Sequence, residues 1–218
     1  AKKFAREVVK KKPVKKETVK GDDGKKRVKV VVTFPLAPDH LKTRAKEYMD
    51  LVEKYAAEYN IQPELVYAVI HTESYFNPKA KSHIPAYGLM QLVPRSGARD
   101  AYRHIYKKDK VVGGNFLYNP TNNIRMGAAY LYILNYRYFK RVDNPKSRLY
   151  CAIAAYNTGA GNVSKAFIGS TKIGRAFSKI NAMTPQQVYD RMHRHLPYEE
   201  TRHYLERVTK RMNLYKQG

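Results

Sequence analysis

The chain has 218 residues, of which 42 are Lys or Arg and 18 are Asp or Glu, giving a formal net charge of +24. One cysteine excludes an intrachain disulfide, and no apolar run reaches the roughly 18 residues of a membrane-spanning helix. Residues 1–33 carry +9 of the charge and the remaining 185 residues carry +15, so the basic excess is spread along the chain. Such a field attracts polyanions: nucleic acid, anionic lipid headgroups or a cell wall that bears carboxylates.

The segment 1–33 is rich in Lys and Val and differs in kind from the rest of the chain. A turn signal at Gly21-Asp22-Asp23-Gly24 separates two extended flanks, which predicts a β-hairpin. Because an isolated hairpin is only marginally stable in water, we expect residues 1–33 to be the basic β segment of a truncated domain. Residues 34–38, which include two prolines, are predicted to be a linker.

From residue 39 onward the pattern of apolar residues predicts helices. Asp39 is a fair N-cap for the first of them, and Ser147 is expected to cap another. A capping box begins at Thr184, with Gln187 three residues later. The helices are predicted over residues 39–59, 63–74, 94–106, about 120–141, 149–156, from 185, and 199–213. Cys151 lies in an apolar run and is predicted to be a buried, inert thiol.

The helix over residues 63–74 carries a carboxylate where apolar residues are expected. Glu73 shares one stripe of this helix with Val66, Val69 and Ile70. A carboxylate there costs free energy unless it is paired, protonated or functional. Either Glu73 turns outward to solvent, or it is a general acid whose pKa is raised by desolvation, because no basic residue lies within helical reach.

Short motifs occur in a fixed order: Glu73-Ser74, Gly88-Leu89-Met90-Gln91, Ala155-Tyr156-Asn157 and, near the C-terminus, Pro197-Tyr198-Glu199-Glu200-Thr201-Arg202. Together they resemble the signatures of the soluble lytic transglycosylase family, whose core resembles goose-type lysozyme. The resemblance implies a mainly α, lysozyme-like catalytic domain over residues 39–218, with a small β-hairpin appendage at its N-terminal side.

The resemblance implies that the protein cleaves peptidoglycan at the β-1,4 bond between N-acetylmuramic acid and N-acetylglucosamine, without water, and leaves a 1,6-anhydromuramyl end. Glu73 would act first as general acid and then as base. Between Glu73 and Asn157 the only other acids are Asp100, Asp109 and Asp143, and none lies in a motif. A second catalytic carboxylate therefore has little support from the sequence, although most glycosidases use two.

The resemblance also implies a set of substrate-binding residues: Ser82, Tyr87, Gly88, Met90, Gln91, Tyr156, Asn157, Tyr198 and Glu200. Gly88 would let the backbone approach a sugar closely, and Met90 would offer an adaptable apolar contact. Gln91 would supply both a hydrogen-bond donor and an acceptor. No metal and no other cofactor is expected.

The expected partners are peptidoglycan strands and muropeptides, with additional attraction to an anionic wall or membrane surface through charge. We expect a monomer in the periplasm, which in its full-length form is a lipoprotein anchored to the outer membrane by a part absent from this chain. Three alternatives remain: a hydrolytic muramidase, a basic nucleic-acid-binding protein and a catalytically silent wall-binding module. No nucleic-acid recognition motif is present in the sequence.

Overall fold

The computed structural model describes residues 14–20, 23–32 and 40–216. The chain divides into two units, Ala1–His40 and Leu41–Gly218. The N-terminal unit contains two antiparallel strands, which confirms the predicted hairpin, whereas the predicted linker at 34–38 lies outside the described residues.

The hairpin consists of strands β1 (Val14–Lys20) and β2 (Lys26–Val32). Thr18 faces Val28 across the ladder, and the register ends at the pair of Lys20 and Lys26. The four valines of β2 favour an extended backbone, since β-branched residues have a high propensity for strands.

The second unit is built from helices, which confirms the predicted mainly α class. They are α1 (His40–Lys46), α2 (Met49–Glu58), α3 (Pro63–Ser74), α4 (Gly97–Tyr106), α5 (Gly114–Leu117), α6 (Pro120–Ile133), a π-helical segment (Leu134–Tyr138), α7 (Pro145–Thr158), α8 (Ala160–Ile168), α9 (Ile173–Asn181), α10 (Pro185–His195) and α11 (Glu199–Met212).

Several helix starts can be explained directly from local sequence. Asn119 and Asn144 cap α6 and α7 by accepting hydrogen bonds from backbone N–H groups, and a proline comes directly after each cap. Thr184 and Gln187 form the predicted capping box of α10. The prediction that Ser147 caps α7 is wrong, because its own backbone N–H bonds to the side chain of Asn144 inside the first turn.

Other boundaries differ from the prediction. The helix expected over 39–59 breaks between Lys46 and Met49, and the one expected to reach residue 141 leaves α-helical hydrogen bonding at Leu134. The expected loop between residues 107 and 119 contains the short α5. Helices α8 and α9 were not predicted, because glycines at and between them give the sequence the pattern of a loop.

Helix α3 packs against α2 and α11. Its residues Val66, Val69 and Ile70 have no exposed surface, as the apolar stripe predicts. Helix α7 packs against α8, α10 and α11, and its buried Cys151 has a raised thiol pKa because of that burial. No helix in the described part of the chain has the length and apolar character needed to cross a membrane.

Candidate active site

Glu73 lies in the last turn of α3, immediately before the chain changes direction. Tyr75 and Phe76 have φ angles of +50° and +62°, which end the helix in left-handed conformation. The Oγ of the buried Ser74 donates a hydrogen bond of 2.7 Å to the carbonyl of Leu89. This bond fixes the end of α3, and with it Glu73, against the loop that contains Leu89.

The loop that contains Tyr87–Met90 is fixed by hydrogen bonds to the buried side chain of Asn123, on α6. Its Nδ2 donates to the carbonyls of Tyr87 and Leu117, both at 2.8 Å, and its Oδ1 accepts from the backbone N–H of Met90, also at 2.8 Å. Gly88 has a φ of +78°, and a Cβ there would collide with Asn123 and the Leu117 carbonyl. Packing against protein therefore requires glycine at 88.

Gln91 holds an unusual conformation at the edge of the same loop. Its φ of +44° is rare for a residue with a Cβ, and it is stabilised by bonds from its Nε2 to the carbonyls of Ala80 (3.0 Å) and Gly88 (2.9 Å). Such outliers cluster at functional sites, where the surrounding structure maintains them. Within the described residues Oε1 of Gln91 makes no hydrogen bond, so it is left as an acceptor.

A cleft of about 540 Å³ opens in front of Glu73. Its walls come from the loop, the end of α7 and the start of α11. The lining residues are Glu73, Ser82, Ile84, Ala86, Gln91, Val93, Tyr156, Asn157, Thr158, Asn162, Tyr198, Glu200 and Thr201. Seven of the ten predicted site residues are thus brought together: Glu73, Ser82, Gln91, Tyr156, Asn157, Tyr198 and Glu200.

The other three, Tyr87, Gly88 and Met90, lie outside the lining of the cleft. The Tyr87 ring packs edge-to-face against Tyr118, with a centroid distance of 5.5 Å. Met90 is completely buried, so its side chain does not offer the apolar sugar contact expected of it. Its carbonyl instead accepts a hydrogen bond of 2.8 Å from the hydroxyl of Tyr156, which supports the floor of the cleft.

The carboxyl of Glu73 is largely enclosed by protein. Burial raises its pKa to about 7, as the apolar stripe predicts. The hydroxyl of Tyr204 opposes this shift, the negative charge of Glu200 adds to it, and the positive charge of Arg207 opposes it. Glu73 can therefore both donate and accept a proton near neutral pH, which is what an acid–base catalyst needs.

Tyr204 is a residue of this site that the sequence motifs did not indicate. Its hydroxyl is buried beside Glu73 and forms no hydrogen bond of regular geometry with any residue the structure describes. Burial, and next the nearby charge of Glu73, raise the pKa of Tyr204. The available signal was its spacing, because Tyr204 lies one helical turn after Thr201 on α11.

The opposite wall is formed by the start of α11. The buried Thr201 donates a hydrogen bond of 2.7 Å from Oγ1 to Oδ1 of Asn157, which joins α11 to the end of α7. Before it, Glu200 is exposed to the cleft and Tyr198 is 57% exposed. An exposed tyrosine ring presents an apolar face with a polar tip. Across residues 14–20, 23–32 and 40–216, no group of three or more His, Cys, Asp or Glu side chains is placed to hold a metal ion.

Residues 50–175 match the family model of the transglycosylase SLT domain. The chain is 40% identical over 190 residues to membrane-bound lytic murein transglycosylase C of Klebsiella pneumoniae, and 40% identical over 185 residues to the protein of the same name from Sodalis glossinidius. These matches cover 87% and 85% of the chain but 52% and 51% of the relatives, so the chain spans about half the length of the curated relatives it matches.

Among solved structures, the chain is similar to the 70 kDa soluble lytic transglycosylase of Escherichia coli. The TM-score is 0.58 at 26% sequence identity, and the match covers 81% of this chain and 25% of that one. The predicted lysozyme-like fold of the soluble lytic transglycosylases is thereby confirmed.

Proposed function

This chain belongs to the family of proteins with a transglycosylase SLT domain, and on that premise we propose that it is a peptidoglycan lytic transglycosylase. It cleaves the β-1,4 bond between N-acetylmuramic acid and N-acetylglucosamine without water and closes a 1,6-anhydro ring on the muramyl product. The observation that carries the proposal is a single enclosed carboxyl, Glu73, in the wall of the cleft, with a pKa of about 7.

In the first step, protonated Glu73 donates its proton to the glycosidic oxygen while the bond from that oxygen to C1 of the muramyl sugar breaks. The N-acetyl group of the substrate stabilises the positive charge that develops at C1, as in substrate-assisted glycosidases. In the second step, ionised Glu73 removes the proton of the C6 hydroxyl, whose oxygen bonds to C1. Glu73 ends protonated and ready for another cycle.

The electrostatics of the site support both steps, because a group whose pKa lies near the working pH serves well as acid and as base. Burial and Glu200 favour the protonated form of Glu73 that starts the reaction. Tyr204 and Arg207 favour the ionised form that acts as base. The balance between these influences gives one residue two successive roles.

The residues proposed to hold the sugars are those in the cleft: Ser82, Gln91, Tyr156, Asn157, Tyr198 and Glu200. Ser82 and Tyr156 donate their own hydroxyl protons to backbone carbonyls, and Ser82 also accepts a hydrogen bond from the backbone N–H of Ala86. Each hydroxyl oxygen keeps a lone pair for a sugar hydroxyl. Asn157 accepts through Oδ1 from protein and keeps its amide N–H groups for the ligand. The exposed Tyr198 ring suits stacking on a sugar face.

The test is to incubate the protein with purified sacculi and analyse the products by mass spectrometry. A transglycosylase releases muropeptides with a 1,6-anhydro end, which are lighter by one water than hydrolysis products. Products with only reducing ends would overturn the non-hydrolytic mechanism while leaving the substrate correct. No soluble product from intact or amidase-treated sacculi would overturn the function itself.

A hydrolytic muramidase is the second candidate, and one observation favours it. Glu200 faces the same cleft as Glu73 and is a carboxylate that could activate water. Its position at the exposed start of α11 supports binding of sugar hydroxyls equally well. Replacing Glu200 by Gln separates the two, because a water-activating base is essential for hydrolysis and dispensable for ring closure.

The basic surface is proposed to hold the enzyme on the anionic wall. We further propose that the enzyme is a monomer in the periplasm and is attached to the outer membrane. The term membrane-bound in the relatives' name supports attachment to a membrane. A charge of +24 predicts that binding to sacculi weakens with salt, because surface attraction is screened within about 8 Å at physiological ionic strength. Deleting residues 1–33 removes +9 and should lower wall retention across a salt series; unchanged retention would contradict that role.

A further inference from the structure

A cavity of about 350 Å³ lies at the opposite ends of α3 and α7 from the cleft. On α3 it is lined by Leu65, whereas the cleft is lined by Glu73, roughly 12 Å further along the helix axis. On α7 it is lined by Leu149, whereas the cleft is lined by Tyr156 near the end of the helix. The two cavities share no lining residue, so this cavity is separate from the proposed active site.

Three side chains with amide groups line this cavity, which we call the amide pocket: Asn60, Gln62 and Asn135. Gln62 is exposed at the start of α3 and does not cap that helix with its side chain. With the residues that the structure describes, the amides of Gln62 and Asn135 make no hydrogen bond, and that of Asn60 makes one, from Nδ2 to the Tyr136 hydroxyl at 3.3 Å. Oδ1 of Asn135 is fully enclosed, whereas its Nδ2 is not. The pocket therefore offers amide donors and acceptors that no protein group uses.

Tyr136 gives the amide pocket an aromatic wall whose position is fixed. Its hydroxyl donates to the Asn60 carbonyl at 3.1 Å, and its ring packs on Tyr132 with a centroid distance of 5.3 Å. Tyr136 and Asn135 both belong to the π-helical segment, a kind of helix irregularity that is frequent at functional sites. Leu65 and Leu149 add apolar surface to the same pocket.

The composition of the lining favours a neutral, amide-bearing sugar as the ligand. Among the described residues that line the amide pocket, Lys146 is the only charged one, so recognition there depends mainly on neutral groups. Sugar hydroxyl and acetamido groups both donate and accept hydrogen bonds, as amide side chains do, and an aromatic wall suits the apolar face of a sugar ring. Extended peptides are commonly bound along the edge of a sheet, whereas the walls of this pocket are helices and the connection before α3.

We propose that the amide pocket binds an N-acetylated sugar of a second glycan strand, distinct from the strand that is cleaved. The identity of the polymer in this inference rests on the proposed function. While the cleft holds the strand that is cut, the amide pocket holds another strand of the same wall and takes no part in bond cleavage. A second contact raises retention because it acts at the high effective concentration set by the first. Unlike attraction through the charge of +24, contact with a neutral sugar is not screened by salt.

The direct test is an NMR titration of the 218-residue chain with tri-N-acetylchitotriose, a soluble trimer of N-acetylglucosamine. Backbone signals should shift around Gln62 and Asn135 as well as around Glu73, with separate saturation curves. Gln62→Ala should weaken binding at the amide pocket at least about fivefold and leave the cleft curve unchanged, since one net hydrogen bond contributes about 1 kcal/mol. The matched control is Gln186→Ala, which removes the same side chain from an exposed position in the first turn of α10 and should change neither curve.

Three results of this titration would overturn the proposal. The first is a set of shifts confined to the cleft, and the second is an equal effect of Gln62→Ala and Gln186→Ala on the amide pocket. The third is tighter binding at Gln62 of a neutral peptide, N-acetyl-trialanine amide, because the pocket would then be a peptide site.

Retention on sacculi separates this inference from the proposed function. At about 1 M salt, where charge attraction is screened within about 3 Å, Gln62→Ala in a Glu73→Gln background should lower retention about fivefold relative to Glu73→Gln alone. Gln62→Ala alone should leave kcat/KM on a short soluble glycan unchanged. Equal retention, or a loss of kcat/KM, would refute a second strand-binding site. Failure of the unmodified chain to cleave any glycan would refute the proposed function alone, because the titration would still decide whether the amide pocket binds the sugar.

Discussion

Two glutamates face the cleft, and they differ in nearly every physical respect. Glu73 lies near the C-terminal end of α3, largely enclosed, whereas Glu200 lies in the first turn of α11 and is exposed. A helix stabilises negative charge at its N-terminus and disfavours it at its C-terminus. Burial raises the pKa of Glu73 toward neutrality, and its place at the C-terminal end of α3 disfavours its negative charge as well.

The anchoring of the two walls differs as well. The end of α3 is tied to the glycine-bearing loop by the buried Ser74, which donates to the Leu89 carbonyl. The start of α11 is tied to the end of α7 by Thr201, which donates to the exposed Asn157. The hydrogen bond of Ser74 holds the end of α3 that carries Glu73 against a backbone carbonyl. The hydrogen bond of Thr201 holds the start of α11, which carries proposed substrate-binding residues, against a side chain.

The largest expected effect is that of Glu73→Gln on turnover. The amide preserves shape but cannot transfer a proton, so the rate on sacculi should fall by at least about 10²-fold, within the usual range for general acid–base catalysis. The matched control is Glu200→Gln, which makes the same change at the other glutamate of the cleft. This variant should keep more than about a tenth of the rate. If both variants lose activity equally, the two-carboxylate hydrolytic mechanism replaces the one proposed.

The second prediction concerns stability as a function of pH. Because the folded pKa of Glu73 is about 7, above its unfolded value, the folded state binds more protons between about pH 4.5 and 7. Its stability should therefore fall as pH rises through that window. Glu73→Gln should be more stable than the unmodified chain at pH 8, by up to about 3 kcal/mol, and nearly equal to it at pH 4.5.

Urea denaturation at the two pH values measures this difference, with Glu200→Gln as the control for loss of one carboxylate. A gain of the same size at pH 4.5 and pH 8 would mean that burial of the Glu73 charge is not its cause.

Smaller effects are expected from removing the hydrogen bonds of Ser74 and Thr201 that anchor the two sides of the cleft. Ser74→Ala should lower the free energy of unfolding by about 1–2 kcal/mol, since it leaves the Leu89 carbonyl without its buried donor. Thr201→Val should lower it by about 1 kcal/mol, because water can replace the lost donor at the exposed Asn157. Ser74→Ala should also lower kcat more than Thr201→Val, because it releases the helix end that carries Glu73. Urea denaturation measures the loss of stability, and turnover on sacculi measures the loss of kcat. An equal loss of kcat in the two variants would contradict the special role given to the Ser74 hydrogen bond in positioning Glu73.

The smallest predicted effects are shifts of the pH profile in opposite directions. Since catalysis starts from protonated Glu73, kcat/KM should fall as pH rises through its pKa. Glu200→Gln removes an influence that raises this pKa and should move the fall to lower pH, whereas Tyr204→Phe removes one that lowers it and should move the fall to higher pH. Shifts in the same direction would contradict the opposing roles given to these residues.

The sequence predicts the parts of the site that depend on local pattern. The apolar stripe on α3 places Glu73 among buried residues, and Pro63 predicts where that helix begins. The capping box at Thr184 predicts the start of α10 in the same way. These features can be derived because each depends on residues within one or two turns of the same helix.

The features that the sequence does not predict depend on distant contacts. Asn123 is one polar residue in a long helix, and its role is visible only when residues 87–90, more than 30 positions away, lie on it. Met90 is next to Gln91, which lines the cleft, yet the side chain of Met90 is buried in the core. Tyr204 reaches Glu73 only because α11 packs on α3, a pairing that no periodicity specifies.

The three hydrogen bonds of Asn123 bear on any attempt to transplant this site. A designer who moves residues 80–91 onto another helical scaffold moves a loop whose shape is set by an amide outside the moved segment. The graft must therefore include an asparagine on the underlying helix, with the left-handed glycine at 88 directly above it. Without that pair, the transferred loop would have to bury the Met90 N–H unpaired, and it would not keep its shape.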